Sequence, residues 1–189
     1  MAGTIDINEL YDTIDAVITH LCQEQEIDEL RLQKSVFLFL WQYALKHKQD
    51  PMGLLSQFQF LPYKEGPFSD YVHGQLEVLA REGDLTITKA AGGNKLRSSK
   101  HTLHKYHLNE AESRLANEIR HLVSKTGPKE LAFYIYYNPT IPKSLREFFT
   151  SRSELKEEFK KNKLQYLSSL LRNELIDEDA YAIMYEEVA

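Results

Sequence analysis

Residues 58–85 read FQFLPYKEGPFSDYVHGQLEVLAREGDL and join an aromatic segment, a Gly-Pro pair and a helical pattern in direct succession. The first residues alternate Phe with Gln, which predicts a short strand. Pro67 has no backbone N–H and disfavours helical geometry at Gly66, so we expect the strand to stop at this pair. Ser69 offers its hydroxyl as the N-cap of a helix over residues 70–82. The stretch therefore predicts a strand-to-helix turn.

The composition is that of an ordinary globular protein. The chain has 189 residues, of which 42% are hydrophobic and 27% charged, so one domain with a sizeable core is expected. A single cysteine excludes an internal disulfide and suits a reducing compartment. The first residues lack the basic and apolar regions of a secretory signal, and the longest apolar run, residues 36–41, is too short for a membrane helix. These features predict a cytoplasmic protein that does not bind membranes.

Two helices are predicted before this stretch. Apolar residues recur at three- and four-residue steps over residues 7–21, which is the period of an amphipathic helix. Asp28 is a good N-cap for a second helix that runs to about His47 and is apolar on nearly every side from residue 36 to 45. We expect this helix to be central and buried. Asp50, Pro51 and Gly53 then predict a loop.

A hairpin and further helices are predicted after residue 82. Residues 84–89 alternate as a strand, residues 90–99 form a Gly-rich tip, and residues 101–108 are expected to form the return strand. Asn109 is the expected cap of the next helix. Gly127-Pro128 marks a boundary, followed by a helix near residues 129–137 and two or three more.

The order of these elements predicts a predominantly helical α+β protein. Its core, residues 1–125, is expected to resemble a winged helix with a β-hairpin wing. Residues 126–189 are expected to form a helical extension packed on that core as one compact unit.

No catalytic, metal or cofactor site is predicted. The GPFS segment lacks the Gly-x-Ser-x-Gly pattern of a nucleophile elbow, so capping by Ser69 is the better interpretation. No phosphate-binding loop follows the Gly pair of the hairpin tip. His101 and His107 would share one face of a strand while His104 points to the other, so three ligands would not converge on a metal.

Charge is unevenly distributed and indicates two candidate contact surfaces. The hairpin region carries a group of cations that could contact phosphates or an acidic partner: Lys89, Lys95, Arg97, Lys100 and Lys105. The preceding helix is poor in groups that read bases and offers only His73, Gln75 and Arg81 beside several acids. The first thirty residues contain no Lys or Arg, and Glu9, Asp12 and Asp15 are the predicted acidic partner face, with a merely solvated helix surface as the alternative.

Two segments together carry a family resemblance. RLQKSVFLFLWQYAL (31–45) contains Leu-Gln-Lys at a helix start, and the later segment places Tyr63, Gly66 and Pro67 before a leucine-rich helix. This combination resembles the SocA-like antitoxin domain family, also called Panacea. Lys64 and Glu65 separate Tyr63 from Gly66, where many members have Tyr and Gly adjacent.

The resemblance implies a non-enzymatic bacterial or phage protein that binds another protein. The implied partner is a toxin encoded by a neighbouring gene, or a client that the protein adapts to a protease. The alternative from another class is a DNA-binding transcriptional regulator that uses the basic hairpin. The sequence leaves the oligomeric state open, with a homodimer among the options.

Overall fold

The computed structural model of the chain describes residues 7–23, 25–91, 93–99 and 105–188. The fold is α+β and mainly helical, as predicted, with small antiparallel sheets. The described chain divides into two compact units. The first unit comprises Met1–Phe60 and Ser69–His121, and the second comprises Leu61–Phe68 and Leu122–Ala189.

The first unit begins with two helices at the predicted positions. Helix α1 is Ile7–Leu21, strand β1 is Ile27–Asp28, and helix α2 is Glu29–Lys46. The Asp28 side chain accepts the Arg31 N–H at 2.9 Å, which confirms its predicted capping role. Helix α2 is buried through most of its length, so it is the central helix of this unit.

The loop predicted at Pro51 is wrong, because helix α3 covers Pro51–Gln57. Asp50 caps this helix and accepts the N–H groups of Met52 and Gly53 at 3.1 and 3.0 Å. Proline fits the first position of a helix, where its missing N–H has no partner to lose. The Asp-Pro pair is therefore a helix start in this chain.

The prediction that a strand stops at the Gly-Pro pair is wrong. Strand β2 is Phe60–Tyr63, and strand β3 is Gly66–Ser69, so Pro67 lies inside a strand. These two strands form a two-stranded sheet joined by a two-residue turn. Each strand of such a sheet has one edge without a strand partner, and a proline is tolerated there since its missing N–H breaks no ladder bond. Gly66 has a φ of +113°, so glycine is required at this turn.

Helix α4 is Asp70–Arg81 and leads into the second hairpin. Strand β4 is Leu85–Ala90 and strand β5 is Gly93–Ser98, and they join β1 in a three-stranded sheet with the order β1-β5-β4. The predicted return strand over residues 101–108 is therefore wrong in its described part, 105–108, which is not a strand. Residues 101–104 lie outside the described residues. Ala90 pairs with Gly93, so the hairpin is shorter than predicted because the segment expected to be a flexible tip supplies the return strand.

The remaining elements are helical. Helix α5 is Glu110–Lys125, and Asn109 caps it as predicted, accepting the Glu112 N–H while the Glu112 carboxylate accepts the Asn109 N–H. The later helices are α6 Pro128–Tyr137, α7 Lys143–Thr150, α8 Lys156–Lys161, α9 Lys163–Arg172 and α10 Glu178–Val188. Within residues 138–188 four helices thus follow α6, where two or three were expected.

An aromatic cluster forms the centre of the second unit. The Phe133 ring lies 5.3 Å from the Phe159 ring at right angles and stacks on Tyr166 at 5.1 Å. Phe133 and Phe159 are fully buried. Rings in such edge and stacked contacts add about 0.5–1.5 kcal/mol per pair beyond their burial. Within the described helices, none is both long and apolar enough to cross a membrane.

Candidate functional site

Ser69 is held by a side chain from helix α2. The Gln33 amide accepts the Ser69 N–H at 2.9 Å and donates to the Ser69 carbonyl at 3.1 Å. Both residues are fully buried. Gln33 thus satisfies the two backbone groups of Ser69 as a neighbouring strand would, which fixes the residue where β3 becomes α4. No local sequence pattern indicates this contact, because the two residues lie 36 positions apart in the chain.

The Ser69 hydroxyl is used for structure. It accepts the Val72 N–H at 3.0 Å and donates to the Phe58 carbonyl. The first contact confirms the predicted N-cap of α4. Because the hydroxyl is buried and both its roles are filled, the local geometry supports capping rather than nucleophilic chemistry.

The second unit presents the β2–β3 hairpin, in which Tyr63 and Gly66 flank the turn residues Lys64 and Glu65. Leu61 and Tyr63 lie two residues apart and so project from the same face of β2. Their side chains are 55% and 43% exposed, so the two residues form a small apolar patch on one face of the strand. We call Leu61 and Tyr63 the hairpin face.

The hairpin face has fixed support. The Tyr63 ring lies 5.2 Å from the Phe68 ring on the facing strand. The Lys64 carbonyl at the turn accepts the Glu154 N–H at 3.0 Å, which ties the tip to the segment before α8. Two exposed apolar side chains on a supported hairpin are suited to contact another surface without reordering. Tyr63 belongs to the motif predicted from the sequence and Leu61 does not, because alternation alone does not tell which face of a strand is covered.

The predicted basic surface of the first unit is partly compensated. Lys105 donates to carboxylates of Glu82 and Asp84, and these hydrogen bonds raise the pKa of its ammonium group. Lys95 lies 4.0 Å from the Asp28 carboxylate. Lys89 and Arg97 are exposed on the β4–β5 hairpin, and Lys100 lies outside the described residues. The cations are thus not brought together as a single uncompensated patch in the described chain.

Polar groups on α4 are also engaged within the first unit. The His73 ring and the Glu29 carboxylate are in contact at 2.5 Å, and this hydrogen bond raises the pKa of His73. Gln75 donates to the Asp15 carboxylate at 2.9 Å. Two of the three side chains that could have read bases from this helix therefore have protein partners.

The predicted acidic face separates into exposed and buried members. Glu9 and Asp12 are exposed on α1. Asp15 is half-buried and accepts the Gln75 amide, while its Oδ1 atom is buried without a hydrogen-bond partner in the described chain. Burial raises the pKa of Asp15 to about 7, with the Gln75 hydrogen bond acting in the opposite direction. Asp15 is therefore not a simple surface charge.

Metal ligands do not converge in the part of the chain that the structure describes. No group of three His, Cys, Asp or Glu side chains there could hold a metal ion. His107 is exposed, and His101 and His104 lie outside the described residues.

Comparison with known proteins identifies no relative: no family model, curated protein or solved structure matches this chain.

Proposed function

We propose that this chain is a non-enzymatic protein-binding module of the antitoxin or adaptor type, from a bacterial or phage context. The observation that carries the proposal is the hairpin face, where Leu61 and Tyr63 are exposed on a supported turn. Tyrosine is enriched among the residues that dominate binding energy, since it combines a large apolar ring with a polar hydroxyl. The first unit would serve as a winged-helix-like scaffold in this proposal.

The partner that fits best is a small basic protein encoded by the adjacent reading frame. Glu9 and Asp12 are exposed acids on α1, and the chain as a whole has a net charge of −5. An acidic protein attracts a basic partner over distance and raises the association rate at low salt. Affinity would then come from the apolar contacts of the hairpin face.

Co-expression with the product of the adjacent reading frame tests the proposal. We expect a stoichiometric complex on size-exclusion chromatography, and rescue of growth where that product alone arrests it. Leu61→Lys and Tyr63→Lys should each weaken the complex at least tenfold, because each places a charge in an apolar contact. Leu164→Lys is the matched control, since Leu164 is 56% exposed on α9 and lies outside the hairpin.

Two results would overturn the proposal. One is the absence of any complex with the adjacent product. The other is a complex that the Leu61 and Tyr63 variants bind as tightly as the unmodified chain does, with circular dichroism showing that the variants are folded.

DNA binding by the basic hairpin is the second candidate. Exposed Lys89 and Arg97 favour it, while the carboxylates beside Lys105 and Lys95 weaken it. A phosphate-contacting hairpin would bind duplex DNA at low salt and lose affinity steeply as salt rises. Failure to bind at low ionic strength would eliminate this candidate and leave the protein-binding proposal unaffected.

A further inference from the structure

Strand β4 lies at the outside of the three-stranded sheet. The strand order is β1-β5-β4, so within the described residues one edge of β4 has no strand partner. Thr86, Thr88, Lys89 and Ala90 are exposed along this strand, and Ile87 is half-buried. An edge of this kind presents backbone N–H and C=O groups with which another strand can pair. We call it the β4 edge.

Two hydrogen bonds show which way the backbone groups of this sheet point. The Ser99 N–H donates to the Asp84 carbonyl at 2.9 Å, on the side of β5 that faces β4. The Ser98 N–H donates to the Cys22 carbonyl at 2.9 Å, on the opposite side of β5. Backbone groups alternate in direction from one residue to the next along an antiparallel strand. Asp84 therefore points its carbonyl towards β5, and the residues two and four positions after it point the same way.

The residues between them point their N–H and C=O groups away from β5, towards the β4 edge. They are Leu85, Ile87 and Lys89. Within the described residues, none of these backbone groups forms a hydrogen bond with another segment. The β4 edge thus offers donors and acceptors at every second residue, which is the pattern that an antiparallel strand of the same length offers in return.

An apolar row of side chains runs across the sheet and ends at the β4 edge. Leu96 pairs with Ile27 on one side and with Ile87 on the other. Ile27 and Leu96 are buried, whereas Ile87 is only half-buried. Opposed side chains lie on the same face of an antiparallel pair, so a further apolar residue opposite Ile87 would continue this row. The row therefore identifies Ile87 as the centre of the surface that another strand would cover.

We propose that the β4 edge binds the β4 edge of a second copy of this chain, antiparallel and with Ile87 opposite Ile87 on a two-fold axis. In this register Leu85 lies opposite Lys89, and Thr86 lies opposite Thr88. The two edges then exchange about six hydrogen bonds. The two sheets join into one continuous sheet, and the two apolar rows meet at its centre. A self-complementary contact of this kind closes at two copies.

The residues of β4 favour this occupant and this register. Lysine at a sheet edge discourages pairing, because it places a charge beside the incoming strand. Lys89 is the only charged residue of β4, and the proposed register places it opposite Leu85. A register centred on Lys89 would instead place two ammonium groups opposite each other, which is destabilising. Threonine pairs and β-branched residues are favourable neighbours across strands, and both occur in the proposed register.

Sedimentation velocity of the full chain at concentrations from about 1 to 500 µM tests the proposal. One strand pair is a small interface, so we expect a monomer–dimer equilibrium with a dissociation constant of about 1–100 µM. Ile87→Lys should raise that constant at least tenfold, because it places two like charges directly opposite each other. Leu45→Lys is the matched control: Leu45 is 50% exposed on α2, outside the sheet, and the same change there should alter the constant less than twofold.

Disulfide cross-linking locates the contact independently of affinity. Opposed Cα atoms in a hydrogen-bonded antiparallel pair lie about 5.5 Å apart, which a disulfide can span. Oxidation of Ile87→Cys should therefore give a covalent dimer on a non-reducing gel. Thr88→Cys is the matched control, since in the proposed register it is offset by two residues from its copy and lies beyond the span of a disulfide. Cys22 is fully buried and should not react in the folded chain.

Three results would overturn the proposal, in variants that circular dichroism shows to be folded. The first is a monomer at every concentration, which would exclude a second copy as the occupant of the β4 edge. The second is equal weakening of the dimer by Ile87→Lys and Leu45→Lys, which would place the contact elsewhere. The third is cross-linking of Thr88→Cys as efficient as that of Ile87→Cys, which would exclude the proposed register. None of these results bears on the hairpin face, because the β4 edge shares no residue with it.

Discussion

Replacing Asp15 by asparagine should stabilise the first unit at alkaline pH and have much less effect at acidic pH. Burial raises the pKa of this carboxyl to about 7 from an ordinary value of 3.8. The folded chain therefore holds the proton more tightly than the unfolded chain does. The effect of Asp15 alone is that the free energy of unfolding is greatest below about pH 4, falls as the pH rises towards 7, and stays reduced above that value.

The magnitude follows from the same two values. A tenfold change in an ionisation constant corresponds to about 1.4 kcal/mol. The difference between the ordinary pKa of 3.8 and the raised pKa of about 7 therefore corresponds to about 4 kcal/mol for a fully buried group. Asp15 is only half-buried, and water screens part of this penalty, so we expect about 2 kcal/mol at pH 8. Asparagine cannot ionise, and its carbonyl can still accept the Gln75 amide.

Urea denaturation at pH 4.5 and pH 8 measures this difference. Trp41 is the only tryptophan and is buried in the first unit, so its fluorescence reports that unit. The gain of the Asp15→Asn variant over the unmodified chain should be about 1 kcal/mol larger at pH 8 than at pH 4.5, because pH 4.5 lies above the ordinary value of 3.8 and part of the effect is already present there. Any constant effect of the new amide cancels in that comparison.

Glu9→Gln is the matched control, since Glu9 is an exposed acid on the same helix. It should change stability by less than about 0.5 kcal/mol at either pH. If the Asp15 variant and the unmodified chain have parallel pH dependences, Asp15 is ionised at no cost in the folded state and the argument from its burial is wrong.

Three further outcomes are expected. Gly66→Val should destabilise the second unit by about 1–3 kcal/mol in urea titrations because the φ of +113° is strained for a branched residue, whereas Gly74→Ala, in open space on α4, should not destabilise the chain. Gln33→Met should cost about 2–4 kcal/mol by Trp41 fluorescence, since it leaves two buried backbone groups of Ser69 unpaired, and an unchanged midpoint would contradict that role. Cys22 is fully buried, and burial raises the pKa of its thiol, so a thiol reagent should modify it only after unfolding; rapid modification of the native chain would show local opening.

Periodicity and capping residues predicted the helices well. The pattern over residues 7–21 matches α1, and Asp28, Ser69 and Asn109 each cap the helix that was predicted to follow. These features depend on residues within one helical turn, so the sequence contains the physical information that decides them.

The wrong secondary-structure predictions concern segments whose local sequence is compatible with two structures. Asp-Pro can begin a helix or occupy a loop, and α3 shows that it begins one here. Pro67 is excluded from the middle of a sheet but tolerated in a strand with a free edge, and the sequence does not tell how many strands will pair. The end of the β4–β5 hairpin was predicted wrongly because a glycine such as Gly93, with a φ of +112°, is compatible with a flexible tip and with a tight turn.

Candidate sites were harder to predict because they depend on long-range contacts. The carboxylates of Glu82 and Asp84 compensate Lys105, and Asp15 is turned towards Gln75 rather than fully towards solvent. Neither contact leaves a signal in the linear pattern of charges.

The segments 31–45 and 58–85, from which the sequence analysis inferred a family resemblance, combine two physical roles. Gln33 and Ser69 lie 36 residues apart and hold each other through buried hydrogen bonds, so the Leu-Gln-Lys and Gly-Pro-x-Ser segments depend on one another for folding. Lys64 and Glu65 instead form the turn of the β2–β3 hairpin, and they are the two residues by which the chain departs from an adjacent Tyr-Gly pair. Substitutions at Gln33 or Ser69 should therefore act through stability, whereas substitutions on the hairpin face should change binding in a chain that remains folded. This separation allows the protein-binding proposal to be tested without the ambiguity of an unfolded variant.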